Sequence, residues 1–200
     1  MINNIILAGV GGQGILTIAA IIDYAAMQKN LFIKQAEVHG MSQRGGAVES
    51  HLRISDREIY SDLIPRGEAS IILSLEPMEA LRYLPFLAED GVIITATKPF
   101  VNIANYPDEK EVLENIKKTG KKVQFIDAEA IAKEAGSIKT ENVVMIGAAA
   151  DYLGFTKKEL RESIRAMFSS KGEAVVEMNL RAFEMGIEYS GERKTENEKC

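Results

Sequence analysis

Ile5-Ile6-Leu7-Ala8-Gly9-Val10-Gly11-Gly12-Gln13-Gly14 passes from an apolar run into a glycine turn, and Ile15-Leu16-Thr17-Ile18-Ala19-Ala20-Ile21-Ile22 follows at once. An uninterrupted apolar run that stops at glycines fits a strand buried on both faces and ended by a tight turn. The segment from Ile15 to Gln28 is apolar round most of its circumference and rich in Ala, which suits a helix packed closely on a sheet. Strand, glycine turn and helix in that order set the expected fold class: α/β, Rossmann-like, with a mostly parallel sheet flanked by helices.

Gly9, Gly11 and Gly14 match G-x-G-x-x-G in the context that gives the pattern meaning, after a strand and at a helix start. The first glycine permits the turn, the second lets phosphates approach backbone N–H groups, and the third allows close helix–strand packing. Glu37, about 20 residues further on, is placed to accept a hydrogen bond from a ribose hydroxyl. Gly12 and Gln13 are unusual for a nicotinamide site, because they put a polar amide in the turn. Either the turn holds an anion, or it serves only as a tight bend at a contact or subunit interface.

Leu31 to Val38 forms a second strand, which the crossover helix makes parallel to the first with a right-handed connection. Gly40 to Gly46 is a polar glycine-bearing loop. Val48, Ser50, Leu52 and Ile54 then alternate with Glu49, His51 and Arg53 in the period of a half-buried strand, and Ser55-Asp56-Arg57 is expected to turn it into a short β-hairpin ending near Tyr60. Ala69–Leu75 and Gly91–Ala96 are further strands separated by a helix from Pro77 to Phe86. A charged helix, Glu109 to Thr119, stops at Gly120 before a strand at Lys122–Ile126. The C-terminal third is helical, with Asn142–Leu153, Lys157–Phe168 and Glu173–Gly186. Residues 1–187 read as one domain, and 188–200 as a disordered tail because they are short, polar and mixed in charge.

Two hundred residues with 46% hydrophobic and 26% charged side chains describe an ordinary globular chain. A net charge of −5 and a pI near 5.3 supply no basic field, so nucleic acid is not an expected partner. The first apolar run has no basic leader and is too short for a signal peptide or a span, so the expectation is a cytoplasmic chain without a membrane partner. The sole cysteine, Cys200, excludes any cysteine-ligated cluster within the chain and is assigned no role. No metal site is expected.

The most informative stretch is Glu37-Val38-His39-Gly40-Met41-Ser42-Gln43-Arg44-Gly45-Gly46. Arg44 offers a planar fork for a carboxylate or phosphate, Ser42 and Gln43 add neutral hydrogen bonds, and the glycines let backbone come close to a ligand or partner. An internal ion pair holding the loop is an equal alternative for Arg44. His39 can assist proton transfer if it faces a site, although a histidine beside a glycine is more often a hydrogen-bonded structural residue. His51 reads as surface or cross-strand packing.

Together with Gly9, Gly11, Gly12, Gln13 and Gly14, this loop resembles the gamma-type domain of 2-oxoacid:ferredoxin oxidoreductases, in particular the small subunits of the indolepyruvate type. Looser echoes are Glu141-Asn142, Lys171-Gly172 and Glu177-x-Asn179, so the resemblance spans Ile5 to Gly186. It implies a subunit of an enzyme that decarboxylates a 2-oxo acid oxidatively with coenzyme A and passes electrons to ferredoxin. It also implies that thiamine diphosphate, its magnesium and iron–sulfur clusters sit on a large partner subunit, with Ser42, Gln43, Arg44, Gly45 and Gly46 facing ligand or interface and Arg44 and His39 as candidate contributors to the reaction. Contacts between two copies are a further expectation. Two other readings share the glycine turn: a stand-alone nicotinamide-dependent oxidoreductase, and a non-catalytic interaction module.

Overall fold

The computed structural model describes residues 2–40, 45–101 and 105–197. Among them, β1 (Ile2–Val10), β2 (Phe32–His39), β3 (Ala47–Ser55), β4 (Ala69–Ser74), β5 (Leu87–Ala96) and β6 (Lys122–Ile126) make one sheet in the order β2-β3-β1-β4-β5-β6. β1, β4, β5 and β6 run parallel, while β3 is antiparallel to both β1 and β2. The mostly parallel α/β sheet is therefore present. The second strand does share the direction of the first, but it lies two places away because β3 occupies the place beside β1.

The hairpin is also displaced. It joins β2 to β3 across the Gly40–Gly46 loop, instead of folding back after Ser55. The cause lies on the far face of β3. Arg53 donates from Nε to the Asn4 side chain (3.0 Å) and from Nη1 to the Ser61 and Leu63 carbonyls (3.0 and 3.1 Å), and the Ile64 amide donates to His51 Nδ1 (3.1 Å). The chain after Ser55 is thus held by side chains under the sheet and has no ladder to join. His51, expected at the surface or in cross-strand packing, is buried with its ring edge-on to Phe86.

Helices α1 (Ile15–Gln28), α4 (Ala128–Ala135), α5 (Glu141–Ala149), α6 (Lys157–Phe168) and α7 (Glu173–Asn197) cover one face of the sheet, and α2 (Pro77–Arg82) and α3 (Glu109–Lys118) cover the other. α5 is buried on all sides, which its run of small and apolar residues allows: it lies against the sheet and α7 packs over it. The two backbones approach so closely that a Cβ on Gly147 would stand 2.2 Å from the Phe183 carbonyl oxygen, and one on Gly186 would stand 2.2 Å from that of Val144. α7 runs on through Asn197, so the segment expected as a tail from 188 is helical. Tyr189 packs against the core and Ser190 Oγ donates to Gln124 Oε1 (3.3 Å), which continues the stripe begun by Val176, Leu180 and Phe183. Residues 198–200, with Cys200, lie outside the described residues.

Gly147→Ala and Gly186→Ala are each expected to destabilise the isolated chain by about 3 kcal/mol, because backbone has to move where no side chain can yield. Urea titrations check this, and a loss below about 1 kcal/mol for both would show that the helix crossing is looser. A second prediction concerns Asp23 on α1, whose Oδ1 is buried without a hydrogen bond and whose carboxyl is pushed by burial up to about 6. A folded-state carboxyl above its ordinary 3.8 holds its proton more tightly than the unfolded chain does, so stability falls as pH rises from 3.8 to 6 and levels off above. Asp23→Asn should flatten that fall by about 1 kcal/mol, discounted for partial exposure, in melts recorded across the window.

Candidate functional site

The two glycine motifs form one seam. The antiparallel pairing of β1 with β3 ends at Val10 opposite Ala47, and two further backbone bonds extend it: Gly11 donates to the Gly46 carbonyl (2.8 Å) and Gly45 to that of Gly11 (3.2 Å). Gly40 closes the base of the loop by donating to Ala47 (2.9 Å). Ser42, Gln43 and Arg44, the candidate ligand groups, lie with Met41 outside the described residues.

Gln13 fixes the turn from its other side. Its Oε1 accepts from the Val10 amide (2.8 Å), its Nε2 donates to the Leu75 carbonyl after β4 (3.0 Å), and its own amide donates to Val10 (3.1 Å). A Cβ on Gly9 would meet Ile15 Cδ1 at 2.8 Å and Gln13 Oε1 at 2.9 Å, so a larger residue there displaces the Gln13 amide from its bonds. Gly14 caps α1 at φ +84°, where a Cβ would fall 2.8 Å from Asn142 Nδ2. That amide reaches the Gly14 carbonyl at 3.5 Å and its Oδ1 accepts from Val143, so the entry of α5 is docked on the entry of α1.

These bonds change what the turn can hold. The Gly11 amide, expected to face a phosphate, is taken by Gly46. Glu37, expected to reach a ribose, stands on the strand beyond β3, about 10 Å across the sheet from β1, and pairs with His39. The arrangement of a dinucleotide dehydrogenase is therefore not formed. His39 sits at the exposed end of β2 with its imidazole on that carboxylate, in a structural contact.

The open side is at Gly12 and the N-terminus of α1, which carries no side-chain cap; the Thr17 amide is taken by the Gly14 carbonyl (3.0 Å), which leaves the Ile15 and Leu16 amides at the helix entry. α1 leads away from β1 towards β3 and β2, whereas β4 lies on the opposite side of β1, so a crevice opens at the carboxyl ends of β1 and β4 where the winding reverses. A cleft of about 580 Å³ fills it, walled by Gly12, Gly14 and Leu75 and rimmed by Lys98, Lys139 and Lys171. Two carboxylates share the rim, Glu129 and Glu141. Glu129 is tied to Lys133, and burial raises the Glu141 carboxyl towards its neutral form. Lys98 is paired with Glu109 at 3.7 Å, so Lys139 and Lys171 are the cations that, with the helix end, suit a phosphate-bearing ligand.

Across the sheet is a buried polar cluster that the sequence did not reveal as such. Glu76 caps α2, accepting from the Glu79 amide (2.9 Å), and accepts on its other oxygen from Tyr106 Oη. Glu79 pairs with Arg82 Nε at 2.8 Å, and burial raises its carboxyl. Burial, then a hydrogen bond to Glu49, raises the Tyr83 phenol, while burial lowers His51. A cavity of about 180 Å³ separates this cluster from Gly45 and Ala47. Its one signal in sequence is Glu76-Pro77-x-Glu79 straight after a strand, a helix-start pattern. Among the described residues no group of three His, Cys, Asp or Glu side chains can hold a metal ion, and no helix is long and apolar enough to cross a membrane.

Fold and site together define a mixed-sheet α/β domain whose glycine turn is sealed by a second glycine loop, with a lysine-rimmed crevice at the sheet's switch point. The family model described as pyruvate ferredoxin/flavodoxin oxidoreductase matches residues 4–189, and the chain belongs to that family. It is 39% identical over 198 residues to the indolepyruvate oxidoreductase subunit IorB of Thermococcus kodakarensis, covering 94% of this chain and 96% of the relative. To the pyruvate/ketoisovalerate oxidoreductases common subunit gamma of Pyrococcus furiosus it is 30% identical, over 82% of this chain and 85% of the relative. Among solved structures, the 2-oxoglutarate:ferredoxin oxidoreductase of Magnetococcus marinus superposes with a TM-score of 0.76 at 22% identity, over 96% of this chain but 31% of that one.

Gln13→Ala removes a donor and an acceptor at once and leaves the Val10 amide and Leu75 carbonyl short of partners. It should cost about 2 kcal/mol in the isolated chain, read by denaturant unfolding. A change under about 0.5 kcal/mol would mean that the turn holds its shape without the Gln13 side chain.

Proposed function

We propose that the chain is the small subunit of a cytoplasmic 2-oxoacid:ferredoxin oxidoreductase of the indolepyruvate type, acting on an arylpyruvate with a large partner subunit. The near full-length likeness to the IorB subunits carries the reading. With one cysteine in the sequence this chain has no ligand set for a cluster. Thiamine diphosphate, its magnesium and the iron–sulfur clusters would therefore belong to the partner, where they would supply the electron sink for decarboxylation and the path of electrons to ferredoxin.

The part left to this chain is to bind, orient and exclude water. Its cationic cleft at the α1 N-terminus takes the phosphates of coenzyme A, the co-substrate that accepts the acyl group. Lys139 and Lys171 supply the charge, and Gly12, where a Cβ would meet nothing within 4 Å, leaves room for close approach. The resemblance makes Arg44 the candidate to steady the carboxylate of the 2-oxo acid through its guanidinium.

The test uses the complex reconstituted from both subunits. Lys139→Ala and Lys171→Ala are each expected to raise the KM for coenzyme A about tenfold, the worth of a charge-assisted hydrogen bond, with kcat within about twofold. Arg44→Ala should lower turnover while leaving the complex assembled. Unchanged KM in both lysine variants would remove coenzyme A from the cleft. A complex that turns over pyruvate or 2-oxoglutarate but no arylpyruvate would overturn the substrate assignment.

A further inference from the structure

A helix that lies on a sheet ordinarily shows solvent a charged face. α1 does not: Asp23 is its one carboxyl and it has no Lys or Arg, and its outward face carries Leu16, Ala20, Tyr24 and Met27 at helical spacing, with Leu16 48% and Met27 64% exposed. The flank bearing Leu16 turns towards β2, since Leu16 shares a cavity wall with His39 and Val48. β2 is the edge of the sheet and pairs only with β3 among the described residues, so one row of its backbone groups is open.

Asp23 lies on the same flank, one residue from Tyr24 and one turn from Met27, with Oδ1 buried and without a hydrogen bond. A carboxylate set among apolar side chains with no donor is costly, and a single Lys or Arg brought in from outside removes the cost. Resting on the reading of the chain as a subunit, we infer that the outer face of α1 and the open edge of β2 form the surface on which the oxidoreductase's large subunit docks, presenting apolar side chains around a Lys or Arg that meets Asp23.

Charge decides between that occupant and a second copy. The acids of this flank are Asp23 and Glu37, and its His39 is already engaged by Glu37. Lys34 sits on the opposite face of β2, in register with Arg53. A symmetric pairing brings the same groups from both sides and leaves both Asp23 carboxylates unanswered. The fold also occurs built against further protein, since it makes up 31% of the matched Magnetococcus chain.

The experiment uses the complex of this chain with its large subunit. A photo-crosslinking residue in place of Met27 is expected to give an adduct with the large subunit. Leu16→Asp and Met27→Asp should each weaken assembly at least tenfold, while circular dichroism and melting of the isolated variants stay as in the wild type, because Leu16 and Met27 are half-exposed; Asp23→Asn, which removes the charge without adding one, should weaken assembly in the same direction. An adduct between two copies of this chain, no adduct in an intact complex, or affinities within twofold of wild type overturn the docking surface and leave the subunit reading standing. Failure of the wild-type chain to bind the large subunit at all overturns both.

Discussion

The two backbone hydrogen bonds between Gly11 and the Gly45–Gly46 pair hold together parts of the chain that are more than thirty residues apart, and most of the architecture follows from them. They extend the pairing of β1 with β3, which wedges β3 into the place that the first crossover would otherwise give to β2. That insertion makes the sheet mixed, turns the second glycine motif into a hairpin loop folded onto the first, and consumes the amide through which a dinucleotide phosphate would be held. Gly45 stands at φ +79°, a left-handed conformation that glycine adopts without steric cost.

With the seam closed, the opening that remains beside the turn is the neighbouring cleft. Gln13 bridges Val10 and Leu75, so the ends of β1 and β4 keep a fixed separation at the point where the winding of the sheet reverses. Asn142 docks α5 against Gly14, and the glycine crossing of α5 and α7 sets how deep α5 lies. The lysines at the rim are carried on the segments that these contacts position. A cleft shaped by backbone bonds on one wall and by long flexible cations on the other suits the grip of a phosphate chain, whose charge matters more than its orientation.

Much of this was legible in the sequence. The strand–turn–helix opening, the bounds of β6 and α6 and the amphipathic C-terminal helices are local in origin, each set by periodicity and caps such as the Thr156–Glu159 capping box. What was not legible depends on distant partners. Nothing in Ser55–Tyr60 says that Arg53 and His51 will bind the following loop from beneath, so a turn signal read as a hairpin became an underside strap. α7 outlasts its expected end because Tyr189 and Ser190 find the core and Gln124 on β6. The short helix α4 has no counterpart among the expected elements although Asp127 caps it, and the buried Glu76–Glu79 cluster is not legible in the sequence because its partners, Tyr106 and Arg82, come from a distant loop and the next helical turn. At the site, the glycine positions were readable but their use was not, since the amide of Gly11 is claimed by a residue from a different motif.

The central claim is that this chain is one half of a thiamine- and cluster-dependent enzyme. The most direct test is anaerobic capture of the chain from its source cells under native conditions, followed by visible spectroscopy and an assay of 2-oxoacid-dependent viologen reduction on the captured material. The account predicts a larger, brown partner and dye reduction that requires thiamine diphosphate and coenzyme A. A colourless chain recovered alone, inert towards every 2-oxo acid, would contradict it.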